Sequence, residues 1–252
     1  TKMLQWTASK KLLVVQTKLY LREPMGVFFT LLFAPLLLVV MGFIFGNDPV
    51  PMFDGRGQLD INVPTYAAIV IGVVGLTALP IETSARRESG VLRRFRATPL
   101  RPLTYLASDV LVYFWMALLG IALLFALGMG VYRVQFTGNP LALLGGICLS
   151  AAAFLALGYV IASLAPNARL ATVVGNVLFI PMMMLSGITL PLEMMPDAVR
   201  NVSRFIPLTH VVTLLRGLWF GEPVGQHVME IMVLGGVLLV GTLVAVWTFR
   251  WE

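Results

Sequence analysis

The sequence predicts an all-α integral membrane protein, because its composition and the length of its apolar runs are those of a helical bundle in a bilayer. Of its 252 residues, 58% are hydrophobic and only 12% are charged, and its mean hydropathy is +0.89. Soluble domains carry about 25% charged residues. Since a hydrocarbon core of about 30 Å needs about 20 apolar residues in a helix, long uncharged runs mark the candidate spans.

Six runs in the chain have the length of a membrane span. They are too long and too continuous for the alternating strands of about 10 residues that build a membrane barrel. We therefore expect one transmembrane domain over residues 1–252, built from six transmembrane helices. The predicted spans cover residues 25–46, 65–82, 104–131, 140–163, 170–190 and 227–249.

The positive charges are unevenly divided between the two sides of this predicted bundle. If the N-terminus is cytoplasmic, thirteen lysines and arginines lie inside and five lie outside. Cytoplasmic loops retain an excess of lysine and arginine. We therefore expect a multi-pass protein of the prokaryotic plasma membrane or cell inner membrane, with both termini in the cytoplasm. In such a chain the net charge of +6 sets orientation and does not indicate a nucleic-acid partner.

Residues 82–102 form the most highly charged segment, with six arginines between two runs that carry almost no charge. Val91, Leu92 and Phe95 fall at helical spacing on one face, which arginines flank. We expect a short amphipathic helix that ends at the prolines after it. Such a helix either lies on anionic membrane lipids or docks into a groove on a partner protein.

Two further segments are not expected to cross the bilayer. Residues 1–24 mix leucine and valine with lysine and arginine, which predicts a helix in the membrane interface or a simple basic anchor. Residues 205–220 are apolar enough to enter the membrane but too short to span it. Backbone at membrane depth must be buried in protein or line a water-filled cavity. We therefore expect residues 187–226 to form a re-entrant, helical extracellular cap.

A few polar residues and prolines within the apolar part are candidates for a substrate path or an outer gate. They are Asn176 and Pro181 in the fifth span, and Pro207 and His210 in the outer cap. A lone asparagine in a membrane helix more often forms an interhelical hydrogen bond. Asp109 begins the third span, where we expect it to stay hydrated near the cytoplasmic surface.

The chain carries no recognisable chemistry of its own. It lacks a phosphate-binding loop of the G-x-x-x-x-G-K-[ST] type, paired Cys or His at metal spacing, and a nucleophile beside an obvious base. We expect no catalytic residue, metal or cofactor in this chain. Carboxylates are scarce inside the spans, which argues against an ion-coupled secondary carrier. That carrier and a membrane enzyme acting on lipid are the alternatives from other functional classes.

The basic segment resembles the cytoplasmic loop of type-2 ATP-binding-cassette (ABC) permeases. Residues 87–92 are RESGVL, and residues 97–100 are ATPL. The similarity extends over the whole chain. Further matches are REP at residues 22–24, GFIFG at 42–46, SG at 186–187, and LP at 190–191 continuing to Pro207.

The resemblance implies a permease without an ATPase motif of its own, working as a homodimer with two copies of a separate ABC ATPase subunit that binds ATP and Mg. It implies a coupling helix over residues 82–99. The chain looks most like the drug-resistance branch, which implies multidrug resistance by export of an amphipathic, drug-like or lipid-like compound; export of polysaccharide or glycolipid is the alternative. The residues implied to couple to the ATPase are Arg87, Glu88, Gly90, Val91, Leu92, Arg94, Phe95, Thr98 and Pro99.

Overall fold

The computed structural model describes residues 13–50, 55–90, 102–189 and 192–248. Within these ranges, six helices are long and apolar enough to cross a membrane. A helix satisfies its backbone hydrogen bonds internally, which is why apolar chains take this form in a bilayer. The predicted all-α fold with six spans is confirmed. The helices are α1 (Pro24–Phe45), α2 (Gln58–Glu88), α3 (Pro102–Val131), α4 (Pro140–Leu164), α5 (Ala168–Leu185), α6 (Asp197–Ser203), α7 (Pro207–Trp219) and α8 (Val228–Thr248).

The spans, α1 to α5 and α8, run between two different ends of the bundle. One end holds residues 13–23, 86–90 and 165–169 and contains Arg22, Arg86, Arg87 and Arg169; we call it the basic end. The opposite end holds residues 185–227, including the short helices α6 and α7; we call it the loop end.

The second predicted span, residues 65–82, is part of a longer helix. α2 begins at Gln58 and continues to Glu88. Near its start, Asp60 accepts a hydrogen bond from the backbone N–H of Gly57 at 2.9 Å, which satisfies a donor before the first turn. Polar residues therefore extend α2 at both ends, beyond the stretch that hydropathy alone assigns to the membrane.

α2 is the central helix of the bundle. In its most apolar stretch 83% of the residues are buried, against 17% in α1, α5 and α8. A Cβ atom added to Gly158 of α4 would lie 2.1 Å from the carbonyl oxygen of Gly75 in α2. A Cβ atom added to Gly175 of α5 would lie 2.4 Å from the carbonyl oxygen of Leu76. Glycines thus let two other spans pack directly against the backbone of α2.

Two spans contain a wide turn of π-helix. In α1 this turn covers Phe28–Leu32, and in α2 it covers Val74–Ala78. A π turn closes its hydrogen bond over one residue more than an α turn, and such turns occur frequently at functional sites. Both turns lie in the half of the helix that is nearer the basic end.

The loop end is covered by residues 192–227. After a 3₁₀ turn at Leu192–Met194, α6 leads to α7, which packs against α2, α4, α5 and α8. Leu208, Val211 and Trp219 of α7 are fully buried. This segment is largely helical, and α7 packs among the spans at the loop end.

A polar cluster ties the loops of this end together. Strand β1 (Pro49–Val50) pairs antiparallel with strand β2 (Arg56–Gly57). The buried carboxylate of Asp60 accepts hydrogen bonds from the backbone N–H of Gln135 at 2.9 Å and from the side-chain amide of Asn47 at 3.2 Å. The start of α2 is thereby fixed to the loop that precedes it and to the loop between α3 and α4.

The described part of the N-terminal segment, residues 13–21, is helical, as predicted. It packs on the bundle through Tyr20, whose ring lies edge-on to that of Tyr113 with 5.2 Å between centroids. The Tyr20 hydroxyl donates to Thr30 Oγ1 at 2.5 Å. Burial raises the pKa of Tyr20 to about 12, so this hydroxyl stays protonated at neutral pH.

Candidate functional site

The structure corrects one part of the predicted coupling helix at residues 82–99. Residues up to Glu88 belong to α2, and the helix does not pass through Gly90, whose φ is 71°. Glycine tolerates this left-handed conformation, which commonly follows the last turn of a helix. The segment is therefore not one continuous helix. The predicted coupling residues Val91, Leu92, Arg94, Phe95, Thr98 and Pro99 lie outside the described residues.

Two residues of the RESGVL motif hold the end of α2 against the turn between α4 and α5. Arg87 Nη1 donates a hydrogen bond to the carbonyl oxygen of Ala165 at 3.1 Å. Glu88 Oε2 accepts one from the backbone N–H of Ala168 at 3.3 Å. The start of the motif is therefore in direct contact with the turn from which α5 begins.

One turn before the motif, a buried polar network joins three spans. Arg86 Nη1 lies 2.7 Å from Asp109 Oδ1 of α3, and Arg86 Nε lies 3.0 Å from Glu82 Oε1. The second carboxylate oxygen of Asp109 accepts the hydroxyl hydrogen of Tyr159 of α4 at 2.7 Å. We call these four residues the Asp109 network.

The expectation that Asp109 stays hydrated is wrong, because its exposed fraction is 1%. The energetic cost of burying a carboxylate is offset when ion pairing and hydrogen bonds replace its contacts with water. Arg86 and Tyr159 supply those contacts from two other spans. Nothing in the local sequence around Asp109 identifies either partner.

Beside this network, a cavity of about 570 Å³ lies between α1, α2 and α5. Tyr20 and Tyr113 close one side of it, and most of the remaining wall is apolar. Its polar lining includes Thr172, the predicted path residue Asn176, and two carboxylates. These carboxylates are Glu23, which precedes α1, and Glu82 of the Asp109 network.

The other predicted path residues do not line this cavity. Pro181 lies further along α5 with an exposed side chain, and Pro207 is the first residue of α7. His210 is 5% exposed, and its Nε2 lies 2.9 Å from the carbonyl oxygen of Arg204. His210 therefore links α7 to the end of α6 at the loop end.

Sequence reasoning missed most of the residues that form the cavity. Glu23 and Glu82 stand at the ends of apolar runs, where carboxylates are usually solvated. The signal that could have found them is that both lie toward the basic end: Glu23 precedes the first span, and Glu82 lies in the last turns of the second. Asn176 could be found because it interrupts an apolar run.

The fold is that of a multi-pass helical membrane protein. At its basic end it contains a cavity with a mostly apolar wall and a few polar side chains. The family model described as ABC-2 type transporter matches residues 8–220, and the chain belongs to this family. The predicted family resemblance is confirmed.

The chain is also similar to individual curated proteins. It is 31% identical over 99 residues to "Nodulation protein J" of Rhizobium leguminosarum bv. viciae, covering 39% of this chain and 38% of that protein. It is 22% identical over 190 residues to "Probable multidrug ABC transporter permease YbhS" of Escherichia coli K12, covering 75% and 49%. It is 25% identical over 209 residues to "Inner membrane transport permease YhhJ" of the same strain, covering 75% and 54%. The chain thus spans about half or less of the length of these relatives.

Proposed function

We propose that this chain is the permease subunit of an ABC exporter that is driven by ATP hydrolysis on a separate ATPase subunit. The observation that carries the proposal is that α2 carries both part of the cavity wall and the first two residues of the family motif. Thr77, Ile81 and Glu82 line the cavity, and Arg87 and Glu88 follow within two turns of the same helix. A force applied at the motif therefore moves the cavity wall directly.

The contacts of α2 support a coupled movement of several spans. The Asp109 network attaches α2 to α3 and α4, while Arg87 and Glu88 attach it to the turn before α5. An ATPase subunit that engages residues 87–99 would thus displace α2 and α5, two of the helices around the cavity. In this proposal the basic end and both termini face the cytoplasm, in agreement with the distribution of lysine and arginine.

The exposed face of α5 supports a dimer with a second copy of the chain. Asn176 is exposed near the middle of this span, where contact with lipid would be costly for a polar side chain. Val173 and Val177 on the same helix are 52% and 65% exposed. We propose that a second copy covers this side of the cavity, giving a homodimer that binds two ATPase subunits.

The cavity supports an amphipathic cargo of drug-like or lipid-like type. Ligand sites for such compounds are mostly apolar, with a few placed polar groups and volumes of about 300–1,000 Å³. One relative is named as a multidrug permease and another is named for nodulation, so the proposal takes the cargo from the cavity and not from these names.

The test is reconstitution of the chain with an ABC ATPase subunit from the same organism. We expect the two proteins to co-purify, and ATP hydrolysis in proteoliposomes to drive accumulation of a fluorescent amphiphile on the side opposite the ATPase. A Walker A lysine variant of the ATPase subunit is the matched control, since it preserves the complex but removes hydrolysis. Accumulation that follows an imposed ion gradient and ignores ATP would establish a secondary carrier instead.

A further inference from the structure

We propose that the cavity selects organic cations, with Glu23 and Glu82 as the groups that recognise the positive charge. This inference rests on the proposed function, since it names the class of cargo for the same cavity. Among the described residues that line the cavity, these two carboxylates are the charged ones, and no lysine or arginine joins them.

The Asp109 network does not neutralise this negative charge. Arg86 is the cation of the network and contacts both Glu82 and Asp109. One guanidinium therefore faces two carboxylates, and Glu23 adds a third on the side of α1. A buried carboxylate such as Asp109 is stabilised by a cation close by, while Glu23 is exposed at the edge of the cavity. A positively charged ligand between Glu23 and Glu82 would supply that cation.

An independent feature also points to a ligand. The side chain of Tyr113 lines the cavity and is 1% exposed, yet its hydroxyl has no hydrogen-bond partner in the described part of the chain. Buried polar atoms almost always have a partner, so a hydroxyl without one marks a place where a bound molecule can supply it. An ammonium group with N–H donors would satisfy the Tyr113 oxygen, which is itself buried, after a small rotation of the ring toward the cavity.

The remaining wall suits the apolar body of such a cation. Phe29, Phe179 and Tyr20 contribute aromatic rings, whose faces attract positive charge. The ring of Phe179 packs closely against α2, as shown by the 2.6 Å that would separate it from a Cβ atom added to Gly72. The cavity thus combines negative charge, aromatic surface and one free hydroxyl.

The first experiment compares two probes of the same shape and opposite charge. Tetraphenylphosphonium and tetraphenylborate are titrated into the purified permease in nanodiscs, and binding to empty nanodiscs is subtracted. We expect saturable binding of the phosphonium at least tenfold tighter than that of the borate. Equal affinities for the two ions would overturn the proposal.

Substitutions then assign the charge recognition to residues. Glu23→Gln and Glu82→Gln should each weaken phosphonium binding about tenfold, while Glu222→Gln at the loop end is the matched control and should leave it unchanged. Because Glu82→Gln also alters the contact with Arg86, Glu23→Gln decides the outcome if the Glu82 variant fails to fold. Unchanged affinity in Glu23→Gln would refute the assignment.

The hydroxyl is tested with a pair of probes that differ in N–H donors. Tyr113→Phe should weaken binding of dodecylammonium about threefold and leave dodecyltrimethylammonium unchanged. An equal effect on both would show that the hydroxyl does not bind the cation. These measurements need no ATPase, so phosphonium binding without ATP-driven export would reject the proposed function and keep the cation site.

Discussion

Arg86 and Asp109 form a buried ion pair between α2 and α3, with Nη1 and Oδ1 2.7 Å apart. The arginine precedes the RESGVL motif by one residue, and the aspartate also accepts the Tyr159 hydroxyl. Among the ion pairs between described residues, this pair joins two different spans. It lies at the end of the bundle where the proposed coupling force would act. The pair therefore ties α2 to α3 at the basic end.

We expect Asp109→Asn to destabilise the protein by about 3–5 kcal/mol, because removal of one partner leaves the other charge buried with less compensation. Tyr159→Phe, which removes one hydrogen bond from the same carboxylate, should cost about 1.5–3 kcal/mol. Thermal unfolding in detergent measures both. The control is Asp197→Asn, since Asp197 forms an exposed pair with Arg200 and should contribute at most about 1 kcal/mol. If Asp197→Asn lowered the stability more than Asp109→Asn, the result would contradict the structural role of the network.

Gly158→Val should prevent folding of the bundle, since a Cβ atom at this position meets the carbonyl oxygen of Gly75 at 2.1 Å. The clash is with backbone, which cannot rotate away as a side chain can. Gly145→Val in the same helix is the control, because a Cβ atom there has no neighbour within 4 Å. Yield of monodisperse protein on size-exclusion chromatography compares the two. Normal yield for Gly158→Val would mean that α2 and α4 do not cross at these glycines.

Leu92→Asp should abolish stimulation of the ATPase subunit while the permease remains folded and inserted. Buried apolar anchors of an interface commonly contribute about 2 kcal/mol or more. Arg94→Gln should only weaken the complex, and more at low salt, because exposed charges contribute less than about 1 kcal/mol and are screened. Co-purification and ATPase assays at two salt concentrations provide the comparison. If Leu92→Asp loses only affinity for anionic vesicles, the segment lies on the membrane surface instead.

A cysteine at position 54 should react from outside the cell with an impermeant maleimide, and a cysteine at position 89 should react only after lysis. The expectation follows from the excess of lysine and arginine at the basic end. The variants Asp54→Cys and Ser89→Cys are made with Cys148→Ser, since Cys148 is the single native cysteine. The reverse pattern of labelling would invert the proposed orientation.

The spans and the short helix α7 could be predicted because hydropathy and length are local properties of the sequence. α7 has 13 residues, too few to cross a bilayer of about 30 Å, and it is bounded by prolines and glycine. The end of α2 at Glu88 was missed, because the arginine-rich sequence on both sides of Gly90 favours a helix. A glycine shortly after arginines in the last turn is the signal that could have located it. The positive φ of Gly90 follows from the folded backbone.

The cavity could be predicted only in fragments, because its walls come from segments that are distant in sequence. Asn176 attracted attention as a lone polar residue in an apolar run. Tyr113 is one residue of a long apolar run, and the lack of a partner for its hydroxyl depends on what surrounds it in three dimensions. Likewise, hydropathy places Asp109 near a surface and cannot reveal that Arg86 approaches it from another helix.

The wide turns in α1 and α2 affect how this family could change during evolution. Phe29 lies in the first turn, and Thr77 and Ala78 lie in the second, so both turns face the cavity. Loss of one residue from an ordinary helix rotates everything beyond it by about 100°. Loss of one residue from a π turn restores an α-helix and keeps the flanking faces in register. Single-codon deletions at these two places would therefore change the cavity wall at Phe29 and at Thr77–Ala78 while the flanking helix faces keep their register.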